Sequence, residues 1–278
     1  MEYLLQKLGI KEIVKLILYP VRRILTRLIL LPPPPIKRKS SPSSSNIPID
    51  LAANYTCAEV VEGDYLEFGC FRGSSFINAY NQITSAVEDW SSFDRAKAAF
   101  TDENRAKEAY NKVRKIKRRF FAFDSFDGLP EATGIDIGHP KFAKGRYDCS
   151  QIEFEKILKR AGVNMNLVHI VPGFYKESLN ASTIESHQLK KAAIVMVDCD
   201  LYSSTQLVLD FITELLVEGS VIIFDDWFNY KANPLKGEQA ACREWLRKNQ
   251  QIKLVPWVRY SLTQMSFIVN INGNNSKR

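Results

Sequence analysis

Residues Ala192 to Val197 (AAIVMV) form an unbroken apolar run, the length of a strand covered on both faces. The run ends on Asp198 and Asp200. From Ser203 to Leu216 the apolar positions return every three or four residues, with Leu207, Phe211 and Leu215 on one side, which predicts a helix closed by Gly219. A second apolar run, Val221 to Phe224, ends on Asp225 and Asp226. A strand–helix–strand succession requires parallel strands. Both carboxylate pairs are therefore expected at the carboxyl ends of neighbouring strands, where open α/β sheets place their sites. Asp200 should share a face with Asp198 if the strand continues through it.

The same alternation extends upstream and downstream and makes the chain α/β. Ile49–Val61 reads as a helix, Tyr65–Phe68 as a strand, and a helix begins near Ser74. Between them lies a turn of the pattern Glu67-x-Gly69-x-x-x-Gly73, whose glycines permit a sharp bend and space for a ligand. Its register differs from the G-x-G-x-x-G of nicotinamide enzymes. Residues 85–118 are a polar, helix-prone insertion ending in the basic run KVRKIKR. The next strand, Arg119–Phe123, ends at Asp124, placed by chain order to accept hydrogen bonds from ribose hydroxyls. Residues 131–149 read as a loop of the kind that covers a site, with His139 as a surface histidine. Helices are expected over Gln151–Ala161 and Gly237–Lys248, and strands over Leu167–Val171, Ile252–Val258 and Met265–Ile271, before a disordered tail, 272–278.

Charge separates the N-terminal segment from the rest. Nine of the 38 Lys and Arg but two of the 31 Asp and Glu fall in residues 1–40, so the remaining chain holds 29 of each. A neutral domain argues against a nucleic-acid footprint. Residues 1–31 are predicted to be a basic amphipathic helix kinked at Pro20. Lys7, Lys11, Lys15 and Arg22 share one face, and Ile10, Ile13, Ile17, Val21, Ile24 and Leu28 gather opposite. No uncharged apolar run approaches the roughly 20 residues that span a bilayer. Two readings stay open for this helix: peripheral contact with the inner face of an anionic membrane, or packing on the domain or on a second subunit. Residues 32–48 are a Pro/Ser-rich linker, so the folded domain is expected over 49–271. Five cysteines, Cys57, Cys70, Cys149, Cys199 and Cys242, lack metal-type spacing and predict reduced thiols and a cytoplasmic setting.

Four carboxylates meeting at one sheet edge repel one another unless a cation neutralises them. An all-oxygen set favours magnesium or calcium over zinc. The plainer reading is that these acids cap helices and solvate the sheet edge.

The segments LEFGCFRGSS, FDSFDGLPE, VDCDLYSST and FDDW stand in the order and spacing of the macrocin O-methyltransferase family, which the chain resembles from about residue 49 to 271. The resemblance implies a Rossmann-like class I methyltransferase fold, with a mostly parallel seven-stranded sheet flanked by helices. It also implies methylation of sugar hydroxyls with S-adenosylmethionine and magnesium, and a homodimer. By position it places Glu67, Gly69, Gly73, Ser74, Asp124 and Ser125 at S-adenosylmethionine, with Asp124 on the ribose. Asp198, Asp225 and Asp226 match the metal-binding aspartates, Asp200 the general base, and Trp227 the aromatic residue after the Asp pair. The expected partner is a sugar-containing small molecule or glycan. The competing readings are methylation of a catechol-like diol and a non-catalytic membrane-associated scaffold; a nicotinamide oxidoreductase stands well behind them.

Overall fold

The computed structural model describes residues 47–272. The amphipathic helix, its membrane contact, nearly all of the linker and all but the first residue of the tail lie outside the described residues. Helix α1 (Ile47–Ala58) starts two residues before the expected domain boundary. Pro48 sits in its first turn, where a missing N–H costs nothing.

Seven strands form one sheet: β1 (Asp64–Phe68), β2 (Phe120–Asp124), β3 (Val168–Pro172), β4 (Ala192–Val197), β5 (Leu216–Phe224), β6 (Ile252–Arg259) and β7 (Met265–Ile271). Their order is β3-β2-β1-β4-β5-β7-β6. Strands β1 to β5 pair in parallel, and β7 runs antiparallel to both β5 and β6. This is the Rossmann-like methyltransferase architecture that the motif order implies.

The unbroken apolar runs are explained by cover on both faces. Leu66, Phe68, Val195, Val197, Ile222 and Phe224 enter one core cluster, and Tyr65, Ile194, Met196, Val221 and Ile223 enter the other. Helices α2 (Ser74–Trp90) and α5 (Gln151–Arg160) pack on the second face, and α8 (Tyr202–Ile212) and α9 (Gly237–Lys248) on the first. The 85–118 insertion forms the end of α2 and the helix pair α3 (Phe93–Ala99) and α4 (Glu103–Val113). Two short helices, α6 (Tyr175–Ser178) and α7 (Ala181–Ser186), lead from β3 to β4. Among the described residues no helix is long and apolar enough to cross a membrane.

One expected boundary is wrong. Gly219 does not close a helix; α8 ends at Ile212, and Gly219 lies inside β5. Ala192 pairs with Leu216 but Ile194 with Val221, so extra residues bulge from β5 between these pairs. Gly219 has φ +83°, and a Cβ there would stand 2.9 Å from Val61 Cγ2. The bulge needs glycine, which a sequence alone does not distinguish from a helix end.

Candidate active site

Parallel pairing carries the hydrogen-bond ladder one residue beyond the strands. Gly69 N donates to Phe123 O (2.9 Å), Asp198 N to Phe68 O (2.9 Å) and Asp225 N to Val197 O (3.0 Å). The residues that follow β1, β4 and β5 are thereby held at one level across the sheet edge. Gly69 is required there, because a Cβ on it would lie 1.8 Å from Asp198 O. The glycine turn and the first acid thus form one joined surface.

On the β1–β2 side the acids are satisfied by the protein itself. Asp124 Oδ2 accepts from the N–H of Cys70 (2.6 Å) and Phe71 (3.1 Å), and Oδ1 from Phe126 N–H (2.8 Å). Glu67 is fully buried, with Oε1 accepting from Ser75 Oγ (2.6 Å) and Oε2 from the Tyr65 hydroxyl. Burial pushes its carboxyl up to about 7, against the pull of the Ser75 and Tyr65 hydrogen bonds. Ser125 Oγ donates to Gly128 O at 2.8 Å.

On the β4–β5 side the acids face one another. Asp198, Asp225 and Asp226 each offer an oxygen, all within 4.8 Å of one another. Burial, and then repulsion from Asp225 and Asp226, drives the Asp198 carboxyl far above the usual range. Asp226 is raised likewise by burial and by Asp200 and Asp225, and Asp225 by burial. Gln264 Nε2 donates to Asp225 Oδ1, and Asn229 Nδ2 to Asp226 Oδ1. Glu238, itself buried, accepts the Asp226 N–H at 3.0 Å. Asp226 Oδ2 is buried with no partner.

Asp200 reaches this cluster by a route other than strand alternation. Strand β4 stops at Val197, Leu201 N–H turns back to Cys199 O (2.6 Å), and Asp200 takes a left-handed φ of 62°. Aspartate tolerates that conformation better than most side chains. Its carboxyl interacts directly with Asp226 and is raised to about 6, chiefly by burial, with Arg146 and Lys141 opposing the rise. Cys199 is buried, its Sγ 3.6 Å from Thr205 Oγ1.

A cavity of about 620 Å³ joins the two sides. Gly69, Asp124, Ser125, Asp198, Asp200, Asp225 and Asp226 line it. Glu67, Gly73 and Ser74 do not. Glu67 is turned into the core, Ser74 is exposed at the start of α2, and a Cβ on Gly73 would meet the Phe154 ring at 2.9 Å, which makes that glycine a packing residue. The 131–149 loop supplies Glu131, Lys141, Phe142, Arg146 and Tyr147 to the wall. It is fastened rather than loose. Asp136, buried, accepts from the N–H groups of Tyr202 (2.7 Å) and Ser203 (3.1 Å) at the start of α8. His139 stacks on Phe142 (4.0 Å) and packs against the tilted Tyr230 ring (4.5 Å) and is not among the residues lining the cavity.

Reading the sequence missed Gln264, Asn229, Glu238, Asp136, Lys141 and Arg146. Asn229 alone carried a signal, lying three residues after Asp226. Gln264 is brought to Asp225 by the β5–β7 register, in which Phe224 faces Met265. No local pattern announces that pairing.

A family model described as Macrocin-O-methyltransferase (TylF) matches residues 106–254. The match contains FDSFDGLPE, VDCDLYSST and FDDW and leaves LEFGCFRGSS outside. No curated protein matches the chain by sequence. Among solved structures, the O-methyltransferase NovP is 18% identical with a TM-score of 0.58, over 81% of this chain and 79% of that one. CalS11, a calicheamicin methyltransferase, is 20% identical with a TM-score of 0.59, over 89% and 90%. An apo structure of CalS11, there described as a TDP-rhamnose 3'-O-methyltransferase, gives 20% and 0.51, over 89% and 92%. At these identities the likeness is one of fold.

Proposed function

The chain belongs to the macrocin O-methyltransferase family and is an S-adenosylmethionine-dependent O-methyltransferase; from that premise we propose that its acceptor is a sugar hydroxyl and that magnesium assists the transfer. The observation that carries the magnesium reading is the cluster of Asp198, Asp225 and Asp226, with one buried Asp226 oxygen left unpartnered beside the cavity. The fit is chemical: an all-oxygen set of buried carboxyls, two of them raised further by their neighbours, is relieved by a hard divalent cation. CalS11, described as a TDP-rhamnose 3'-O-methyltransferase, supports the sugar acceptor, and NovP supports O-methyl transfer.

S-adenosylmethionine supplies an electrophilic methyl group, and magnesium, when bound, supplies a Lewis acid that makes an acceptor hydroxyl more acidic. The chain supplies position and a base. Three backbone N–H groups clamp Asp124, leaving it oriented to accept from ribose hydroxyls at the β1–β2 side. Gly69 lets the β1 turn lie directly against the Asp198 backbone, so the two sides share one wall. In-line transfer needs the two reactants held close and collinear, and the shared cavity performs that task. Asp198, Asp225 and Asp226 would hold the cation. Asp200, outside that set, takes the hydroxyl proton; Lys141 and Arg146 counter the effect of burial and help to keep it ionised.

Calorimetric titration of S-adenosylmethionine with and without magnesium, with Asp124→Ala as control, tests the cofactor assignment. Methyl transfer is then compared between a panel of glycosides and catechols. Turnover of sugars that depends on magnesium is expected, and turnover confined to catechols would overturn the sugar reading.

A further inference from the structure

Asp225 and Asp226 each have one oxygen already engaged by a side-chain amide. Gln264 Nε2 occupies Asp225 Oδ1 and Asn229 Nδ2 occupies Asp226 Oδ1. Asp226 Oδ2 remains free and buried, and its backbone is fixed from behind by Glu238. Gln264 is itself buried, with 8% of its surface exposed, and is held opposite Asp225 by the β5–β7 pairing. Neither amide can swing away without leaving a carboxylate oxygen unpaired in a site that already lacks donors. We propose that Gln264 and Asn229 determine which divalent cation the site accepts, by restricting Asp225 and Asp226 to one ligand oxygen each and so favouring magnesium over calcium.

The physical basis is the difference between the two ions. Calcium takes six to eight oxygens in flexible geometry and gains from carboxylates that bind through both oxygens. Magnesium demands six ligands at short, near-octahedral positions, usually keeps several waters, and is served by carboxylates that each give one oxygen. An oxygen flanked by an amide N–H has lost a lone pair and the space beside it. Two such amides on two of the three carboxylates leave a set that suits the smaller ion. Changing partners of this kind, one step removed from the metal, typically alters metal affinity by about 10- to 100-fold. The inference rests on the reading of Asp198, Asp225 and Asp226 as cation ligands.

The test uses the full chain and two probes, magnesium chloride and calcium chloride, titrated by calorimetry in the absence of acceptor. Gln264→Met and Asn229→Ala remove one amide each, and binding of S-adenosylhomocysteine shows that each variant is folded. Asn229→Ala addresses the same idea at the other carboxylate, so the test stands if Gln264→Met does not fold. The ratio of magnesium to calcium affinity is expected to fall about tenfold or more in each variant, mainly through tighter calcium binding. Equal weakening of both ions, which a merely structural role produces, overturns the proposal, as does an unchanged ratio. A wild-type chain that binds neither ion overturns instead the metal reading beneath it.

Discussion

At the carboxyl ends of β1 and β2 every oxygen of Glu67 and Asp124 has a donor from the protein, whereas at the ends of β4 and β5 four aspartates share two side-chain amides. The first region is complete as folded. Its acids shape a turn and fix its backbone, and a ligand there finds a finished surface. The second is electrostatically incomplete: burial holds Asp198, Asp225 and Asp226 above their ordinary values, and repulsion from neighbouring carboxylates adds to the rise at Asp198 and Asp226. Acids that stand at the ends of strands in both regions thus do opposite work. One organises the protein, and the other requires something from outside it.

The strongest way to break this contrast is to remove the incomplete side. Asp198→Asn should abolish magnesium binding by calorimetry and lower magnesium-dependent turnover at least about 100-fold, while S-adenosylmethionine still binds. Asp200→Asn should lower kcat by about 10²- to 10⁴-fold and leave magnesium binding in place, which separates the base from the ligands. A loss of magnesium affinity in that variant would merge the two roles.

The complete side is probed by stability rather than turnover. Glu67 is raised from 4.5 to about 7 in the folded chain, so its neutral form is the favoured one. Its contribution is fully present below the unfolded value, declines as pH rises, and is lost once pH passes the folded value. Glu67→Gln copies the neutral acid and should match the wild type near pH 4.5 but exceed it at pH 8, by about 3 kcal/mol at most, measured by denaturant unfolding. The smallest effect is expected from the cation itself. Magnesium at a hundred times its dissociation constant should stabilise the wild type by about 2.7 kcal/mol. The gain should shrink as pH falls, since protons then neutralise the same carboxylates, and should vanish in Asp198→Asn.

Much of this was legible in the chain because it rests on local pattern. Runs such as AAIVMV and VIIF are apolar without interruption since both sheet faces are covered, and each ends where the ladder ends, so Asp198 and Asp225 are placed by the strands that precede them. Gly69 was legible for a similar reason, as a break between a strand and a helix. Gly219 was misread, because glycine at a bulge and glycine at a helix end look alike until the partner strand is known. Asp200 was assigned to the cluster on the premise of a continuing strand, and it arrives there through a left-handed turn.

Sequence alone determined the order of the strands and of the longer helices, the edge of the sheet where the acids gather, and which four aspartates gather there. Those properties follow from hydrophobic period and from parallel pairing, which act over a few residues or one crossover. Tertiary structure decided which carboxylates are satisfied and which are not. Tyr65 and Ser75 reach Glu67, the N–H groups of Cys70 and Phe71 reach Asp124 from the preceding turn, and Gln264 reaches Asp225 across a strand register. Whether a buried charge is quiet or demands a cation depends on donors within about 3 Å in space, and Cys70, Phe71 and Gln264 reach their carboxylates from 39 to 54 residues away along the chain.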